Sequence, residues 1–172
     1  RLRGLGNLYA NVNFLKYFTY RSSVQFDVSE SKSRSFTPSY YVAPLQQNEV
    51  NDLSYGTSNS SNLIFENTLT FDRRFGNHSF NAVGGYTIQD LNSEFISGST
   101  EGLIREDPLF WYLDAGQNDF ERVSNSSYRQ TLLSYLGRAH YTYDSRYLLT
   151  ISARRDGSSN FGPNNKYGNF YS

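Results

Sequence analysis

Residues 63–89 read LIFENTLTFDRRFGNHSFNAVGGYTIQ, two runs of alternating character on either side of Gly76-Asn77. In the first run Leu63, Phe65, Leu69, Phe71 and Phe75 alternate with Ile64, Glu66, Thr68, Thr70, Asp72 and Arg74, and only Ile64 breaks the polar set. In the return run Phe80, Ala82, Gly84, Tyr86 and Ile88 alternate with Ser79, Asn81, Gly85, Thr87 and Gln89. Successive side chains of a strand point to opposite faces, so a period of two over this length predicts strands with one apolar and one polar face. The Gly-Asn step supplies a tight turn, and the unit reads as a β-hairpin.

The same pattern recurs on both sides. Leu8, Ala10, Val12 and Phe14 alternate with Asn7, Asn11 and Asn13, and after Leu15-Lys16-Tyr17 a second strand carries Phe18, Tyr20, Val24, Phe26 and Val28. Near the C-terminal end Leu133, Tyr135, Gly137, Ala139, Tyr141 and Tyr143 alternate with Ser134, Arg138, His140 and Thr142. The chain then turns at Asp144-Ser145-Arg146 and returns through Tyr147, Leu149, Ile151 and Ala153, with Leu136 and Leu148 as exceptions on the polar face. The expected strands are therefore about 6–14, 18–29, 63–75, 78–91, 128–143 and 147–155. The Ser/Asn-rich stretches of about 30–62 and 92–126 read as long extracellular loops. Short turns alternating with long loops are the habit of outer-membrane barrels rather than of compact soluble domains.

Composition supports that contrast. Aromatics reach 17% while all hydrophobic residues together are only 37%, too little Leu, Ile, Val and Ala for an ordinary core and too much Tyr and Phe for disorder. Sixteen basic and sixteen acidic residues cancel, with no Lys/Arg run for a nucleic-acid backbone. The absence of cysteine excludes disulfides and thiolate chemistry. No apolar run approaches the roughly 18 residues of a membrane-spanning helix, and no signal peptide opens the chain at Arg1.

Aromatics cluster beside all three turns: Phe14, Tyr17 and Phe18, then Phe71, Phe75 and Phe80, then Tyr141, Tyr143 and Tyr147. One common height suggests a periplasmic aromatic girdle. With the apolar face on lipid and every backbone group obliged to pair, the sheet would have to close. The expected fold is thus all-β, a transmembrane antiparallel β-barrel to which this chain gives six to seven strands, three hairpins and the start of another. Six strands alone leave too little room for a polar interior, so a larger barrel is expected.

The segment from Ser134 to Ser172, SYLGRAHYTYDSRYLLTISARRDGSSNFGPNNKYGNFYS, resembles the SusC/RagA family of TonB-linked outer-membrane transporters. That family shows SYFGR, Y-x-Y, a short turn, a basic residue with YLL, then R-x-DGSS-x-F and KYG-x-F-P-S. Leu136 stands here where Phe is usual, and Tyr171 where Pro is usual. The resemblance implies a 22-stranded barrel with an N-terminal plug in the outer membrane of Bacteroidetes-type bacteria. It implies import of oligosaccharides or peptides, with a SusD-like surface lipoprotein as lid and energy from the TonB complex through an N-terminal box. On that reading the chain is a mid-barrel fragment without plug, box or closing strand, in contact with outer-membrane lipid. Alternative readings are a soluble carbohydrate-binding or adhesin-like β-domain, and a barrel fragment held as client of an insertion or secretion machine.

Catalysis finds no support in the pattern. His78 at a turn and His140 on a polar strand face read as structural, and no Ser/His/Asp arrangement can be assembled. Asp114, Asn118, Asp119 and Glu121 are oxygen donors in a loop, yet lack EF-hand spacing, so no cofactor is expected and loop calcium is disfavoured. The DGSSNFG run lacks P-loop spacing and reads as a turn. Tyr40, Tyr41, Phe110, Trp111 and Tyr112 are the candidates for ligand or lid contact, against a plainer reading as small loop cores.

Overall fold

The computed structural model describes residues 1–162 and 165–172; Pro163 and Asn164, inside the stretch that carries the family resemblance, lie outside the described residues. It is all-β. The strands are β1 (Leu2–Phe14), β2 (Phe18–Thr37), β3 (Tyr40–Ala43), β4 (Gln46–Asn48), β5 (Asp52–Phe75), β6 (His78–Glu101), β7 (Arg122–Tyr143), β8 (Tyr147–Ser158) and β9 (Tyr167–Tyr171). Three single-turn 3₁₀ helices, Pro108–Phe110, Leu113–Ala115 and Asn118–Phe120, lie between β6 and β7.

Among the described residues seven strands form one sheet in the order β1-β2-β5-β6-β7-β8-β9, and β3-β4 is a separate two-stranded sheet. The seven-stranded sheet is open, with β1 and β9 at its two edges. This corrects the expected transmembrane barrel. Edge strands carry a row of unpaired backbone groups, and spanning a bilayer requires those groups to be satisfied by closure. The mid-barrel assignment and the outer-membrane location rested on that closure, and the open sheet of the described residues does not support them.

The segments expected to be long loops, 30–62 and 92–126, are corrected as well. β2 continues to Thr37, β5 begins at Asp52, β6 runs to Glu101 and β7 begins at Arg122. Ser/Asn/Thr-rich strand ends show no apolar alternation, but ladder pairing uses the backbone and proceeds without it.

The chain divides into two compact units. Unit 1 comprises Arg1–Arg3, Ser29–Ser60 and Ser93–Tyr128; unit 2 comprises Gly4–Val28, Ser61–Asn92 and Arg129–Ser172. The buried hydrophobic residues among those described are Leu53 and Leu103, both in unit 1, where Thr100 is also fully buried. In unit 2 the apolar row stays exposed at Leu8, Val12, Leu63, Leu69, Leu149 and Ile151.

Unit 2 is organised by its turns and by rings laid across strands. Leu15 and Lys16 adopt φ of 50° and 61°, and Asp144 and Ser145 adopt 49° and 55°. Paired positive φ is the mark of the type I′ hairpin turn, whose twist matches the flanking strands and which Asn-Gly occupies without strain. Leu15 and Lys16 occupy that left-handed region with side chains that do not favour it. The double substitution L15N/K16G is expected to stabilise the protein by about 1–2 kcal/mol, read as a raised thermal midpoint; an unchanged midpoint would show that the turn holds no strain.

The motif halves at the C-terminal end pair directly. In the β8/β9 register Gly157 faces Tyr167, Asp156 faces Gly168 and Arg154 faces Phe170. A Cβ at Gly157 would come within 2.5 Å of the Tyr167 ring. The Arg155 guanidinium lies 4.5 Å from the centre of the same ring. The DGSS and KYG motifs are therefore two sides of one ladder: glycine leaves room for the tyrosine ring, and the ring is held from outside by an arginine. This places DGSSNFG in a strand end and turn.

Candidate functional site

In unit 1 the segment between β6 and β7 is folded back and clasped. Asp107 caps the first 3₁₀ turn by accepting from the Leu109 N–H at 2.9 Å, with Pro108 in the first turn position. Gly102 takes φ of 72°, which suits glycine, and its N–H donates to the Asn51 carbonyl at 2.9 Å. Asn51, itself buried, uses its side-chain amide like a strand partner. Its Nδ2 donates to the Leu103 carbonyl at 2.9 Å, and its Oδ1 accepts from the Leu103 N–H at 2.6 Å.

Glu106 completes the clasp. Its Oε1 accepts from the Ser39 N–H at 3.0 Å, the Ser39 hydroxyl at 2.7 Å and Asn51 Nδ2 at 3.2 Å. The backbone and then the hydroxyl hydrogen bond from Ser39, followed by that from Asn51, hold the Glu106 carboxyl below the ordinary glutamate range.

Around this clasp the aromatic candidates take separate places. Trp111 is half-buried; its ring stacks on Phe36 at 4.6 Å between centroids, and its Nε1 donates to the Glu106 carbonyl at 3.0 Å. The Arg34 guanidinium lies 5.3 Å from the Trp111 ring, and that of Arg105 lies 4.6 Å from the Phe110 ring. Trp111 is thus part of the loop's internal support. Phe110 is exposed at 39%, while Tyr40, Tyr41 and Tyr112 are exposed at 47%, 70% and 66%.

Phe36, Ser39, Asn51 and Glu106 were not among the sequence candidates. The one signal that points to this fold-back is Asp107-Pro108, a cap residue followed by proline at a helix start. Asp114, Asn118, Asp119 and Glu121 do not gather into a site. Among the described residues no group of three or more His, Cys, Asp or Glu side chains is placed to hold a metal.

In unit 2 the nine turn-side aromatics are drawn into two runs of ring contacts. Phe14 stacks on Phe18 at 5.5 Å, Phe18 meets Phe71 at 4.9 Å, Phe71 meets Phe80 at 5.9 Å, and Tyr17 approaches Phe71 at 6.3 Å. Phe75 stacks on His78 at 5.3 Å, His78 meets Tyr143 at 4.9 Å, and Tyr143 stacks on Tyr147 at 6.3 Å. The Tyr141 hydroxyl bonds His78 Nδ1 at 2.7 Å, so the histidine belongs to the second run. Such pairs hold adjacent strands in register. His140 lies between two hydroxyls, with Nδ1 2.7 Å from Thr150 Oγ1 and Nε2 3.2 Å from Thr142 Oγ1.

No family model matches the chain. TonB-dependent receptor P3 of Formosa agariphila is 30% identical over 95% of this chain and 16% of the receptor. TonB-dependent receptor SusC of Bacteroides thetaiotaomicron is 50% identical over 42 residues, 24% of this chain and 4% of that protein. Among solved structures, the RagAB peptide importer in its closed-closed state matches with a TM-score of 0.88 at 21% identity, over 98% of this chain and 19% of the importer chain. At that identity the likeness is one of fold. These similarities link the chain to TonB-dependent receptor systems, with which its SusC/RagA resemblance agrees. It spans 16% of the length of receptor P3, a minor share of the relatives it resembles.

Proposed function

We propose that this chain is a non-catalytic binding module of a TonB-linked nutrient-uptake system, taking carbohydrate on the exposed aromatic side chains of unit 1. The observation that carries the reading is the division of labour among its aromatics. Trp111 and Phe36 are tied into the clasp, whereas Tyr40, Tyr41 and Tyr112 stay exposed on backbone that the clasp holds in place. A tyrosine joins an apolar ring face to a hydroxyl and loses few rotors on binding, which suits the alternating C–H and O–H surface of a sugar. Preorganisation lowers the ordering cost of each contact. In such a system the module acts beside TonB and a SusD-like surface lipoprotein. The resemblance to the SusC/RagA family supports that setting.

Titration calorimetry against a panel of neutral oligosaccharides tests the reading. Tyr41→Ser and Tyr112→Ser are each expected to weaken binding about tenfold, roughly 1–2 kcal/mol, for a ligand that stacks on that ring. Absence of binding across the panel, or affinity indifferent to both substitutions, would overturn it.

A further inference from the structure

We infer that the β3–β4 hairpin is a docking arm for a protein partner whose surface offers an apolar pocket bordered by lysine or arginine. The hairpin is a sheet of its own, outside the hydrogen-bonded order of the seven-stranded sheet. Its tip is apolar and open. Tyr41 and Val42 are exposed at 70% and 67%, and Leu45, in the turn after Pro44, is exposed at 102%. Single exposed apolar side chains are ordinary, but three within five residues at the end of one hairpin form a contiguous apolar tip.

Two local features fix how that tip is presented. The register passes from Tyr41↔Gln47 to Ala43↔Gln46, so Val42 is the extra residue of a β-bulge, a device that re-aims side chains. The base of the hairpin is pinned on both sides: Asn48 Nδ2 donates to the Pro38 carbonyl at 2.8 Å, and Ser39 donates twice to Glu106. An arm held at its base reaches a partner with little further ordering.

Charge selects the partner. From Ser35 to Ser60 the chain carries Glu49 and Asp52 and neither lysine nor arginine, and the nearby Arg34 and Arg105 are engaged on the Trp111 and Phe110 rings. An apolar tip with an acidic base fits a pocket with a basic rim. The same acidic base disfavours a second copy of the arm and an anionic lipid surface. The inference shares Tyr41 with the carbohydrate reading but is tested at Val42 and Leu45 and on a different partner class, so the two tests fail separately.

The test places the photoreactive amino acid p-benzoylphenylalanine at position 45 of the full-length protein in its native cells, with and without Glu49→Lys. The expected result is an adduct with one protein, mapped by mass spectrometry to an apolar pocket flanked by Lys or Arg. Its yield should fall about tenfold with Glu49→Lys and fall as ionic strength rises. Adducts confined to a second copy, to lipid or to glycan would overturn the inference, as would no adduct, or a yield unmoved by the charge reversal. The same reagent placed at Val42 guards against a local folding defect at Leu45, with the same outcomes read.

Discussion

Replacing Gly85 by alanine is expected to destabilise the protein by about 2–4 kcal/mol, whereas the same change at the adjacent Gly84 is expected to be neutral or mildly stabilising. A Cβ at Gly85 would stand 2.3 Å from the Asn67 carbonyl oxygen and 3.1 Å from the Thr68 Cα. Those are backbone atoms of β5, which cannot rotate aside, so β6 would have to move off the ladder. The damage would fall where β5 is already committed, since Asn67 is buried and accepts the Tyr20 hydroxyl hydrogen bond from β2. At Gly84 the nearest atom is the Leu136 carbonyl oxygen at 3.9 Å, an ordinary contact. There alanine mainly removes the roughly 0.5–1 kcal/mol entropy penalty of a glycine within a strand. Denaturant unfolding followed by circular dichroism compares the two. Equal effects at both positions would show that the close approach of β6 to β5 is not a constraint.

Those two neighbours also show what alternation can and cannot carry. The period of two assigns Gly84 and Gly85 to opposite faces, and it marks where each strand approaches a short turn, because there apolar and polar residues alternate cleanly. It is silent on how near the adjacent strand runs, since that distance is set by the partner's backbone. It is equally silent on the loop-side halves of β2, β5 and β6, where Ser, Asn and Thr occupy both faces and the only signal is backbone pairing. Closure is what a bilayer would demand of an apolar face, a demand placed on a whole protein. The order β1-β2-β5-β6-β7-β8-β9, open at both margins, is what these residues make by themselves.

The candidate site was legible only in its aromatics. Tyr40, Tyr41, Phe110, Trp111 and Tyr112 stand out by type, but sequence cannot tell an outward ring from a supporting one. Trp111 is separated from Tyr112 by a stack on Phe36 and by an indole N–H held at the Glu106 carbonyl, and both partners are remote or unremarkable in the sequence. Asn51 and Ser39 lie in a run crowded with similar residues. Their importance comes from meeting Leu103 and Glu106, more than fifty residues further along the chain.

Asn51 is accordingly where the loop unit should be most sensitive. Asn51→Ala removes both hydrogen bonds to the Leu103 peptide groups and leaves a buried N–H and a buried carbonyl without partners, an expected local loss of about 2–4 kcal/mol. Native-state hydrogen exchange should show the Leu103 amide exchanging much faster. The Gly102 amide should be affected less, because its acceptor is the Asn51 main-chain carbonyl, which alanine retains. Asn51→Asp should be worse than alanine in one respect: it keeps an acceptor for the Leu103 N–H but sets a carboxylate against the Leu103 carbonyl and the Glu106 carboxylate. Acid should loosen the same clasp from the other side. The folded-state pKa of Glu106 is lowered, so its contribution is present above the unfolded glutamate value and is lost as pH falls through the lower folded one. Protection of the Ser39 amide, which donates to Glu106, should therefore fall only below the ordinary glutamate range, and Glu106→Gln should abolish that pH dependence. A Leu103 amide indifferent to Asn51→Ala would show that the fold-back is held elsewhere, by Gly102, by Trp111 or by the buried Leu53 and Thr100.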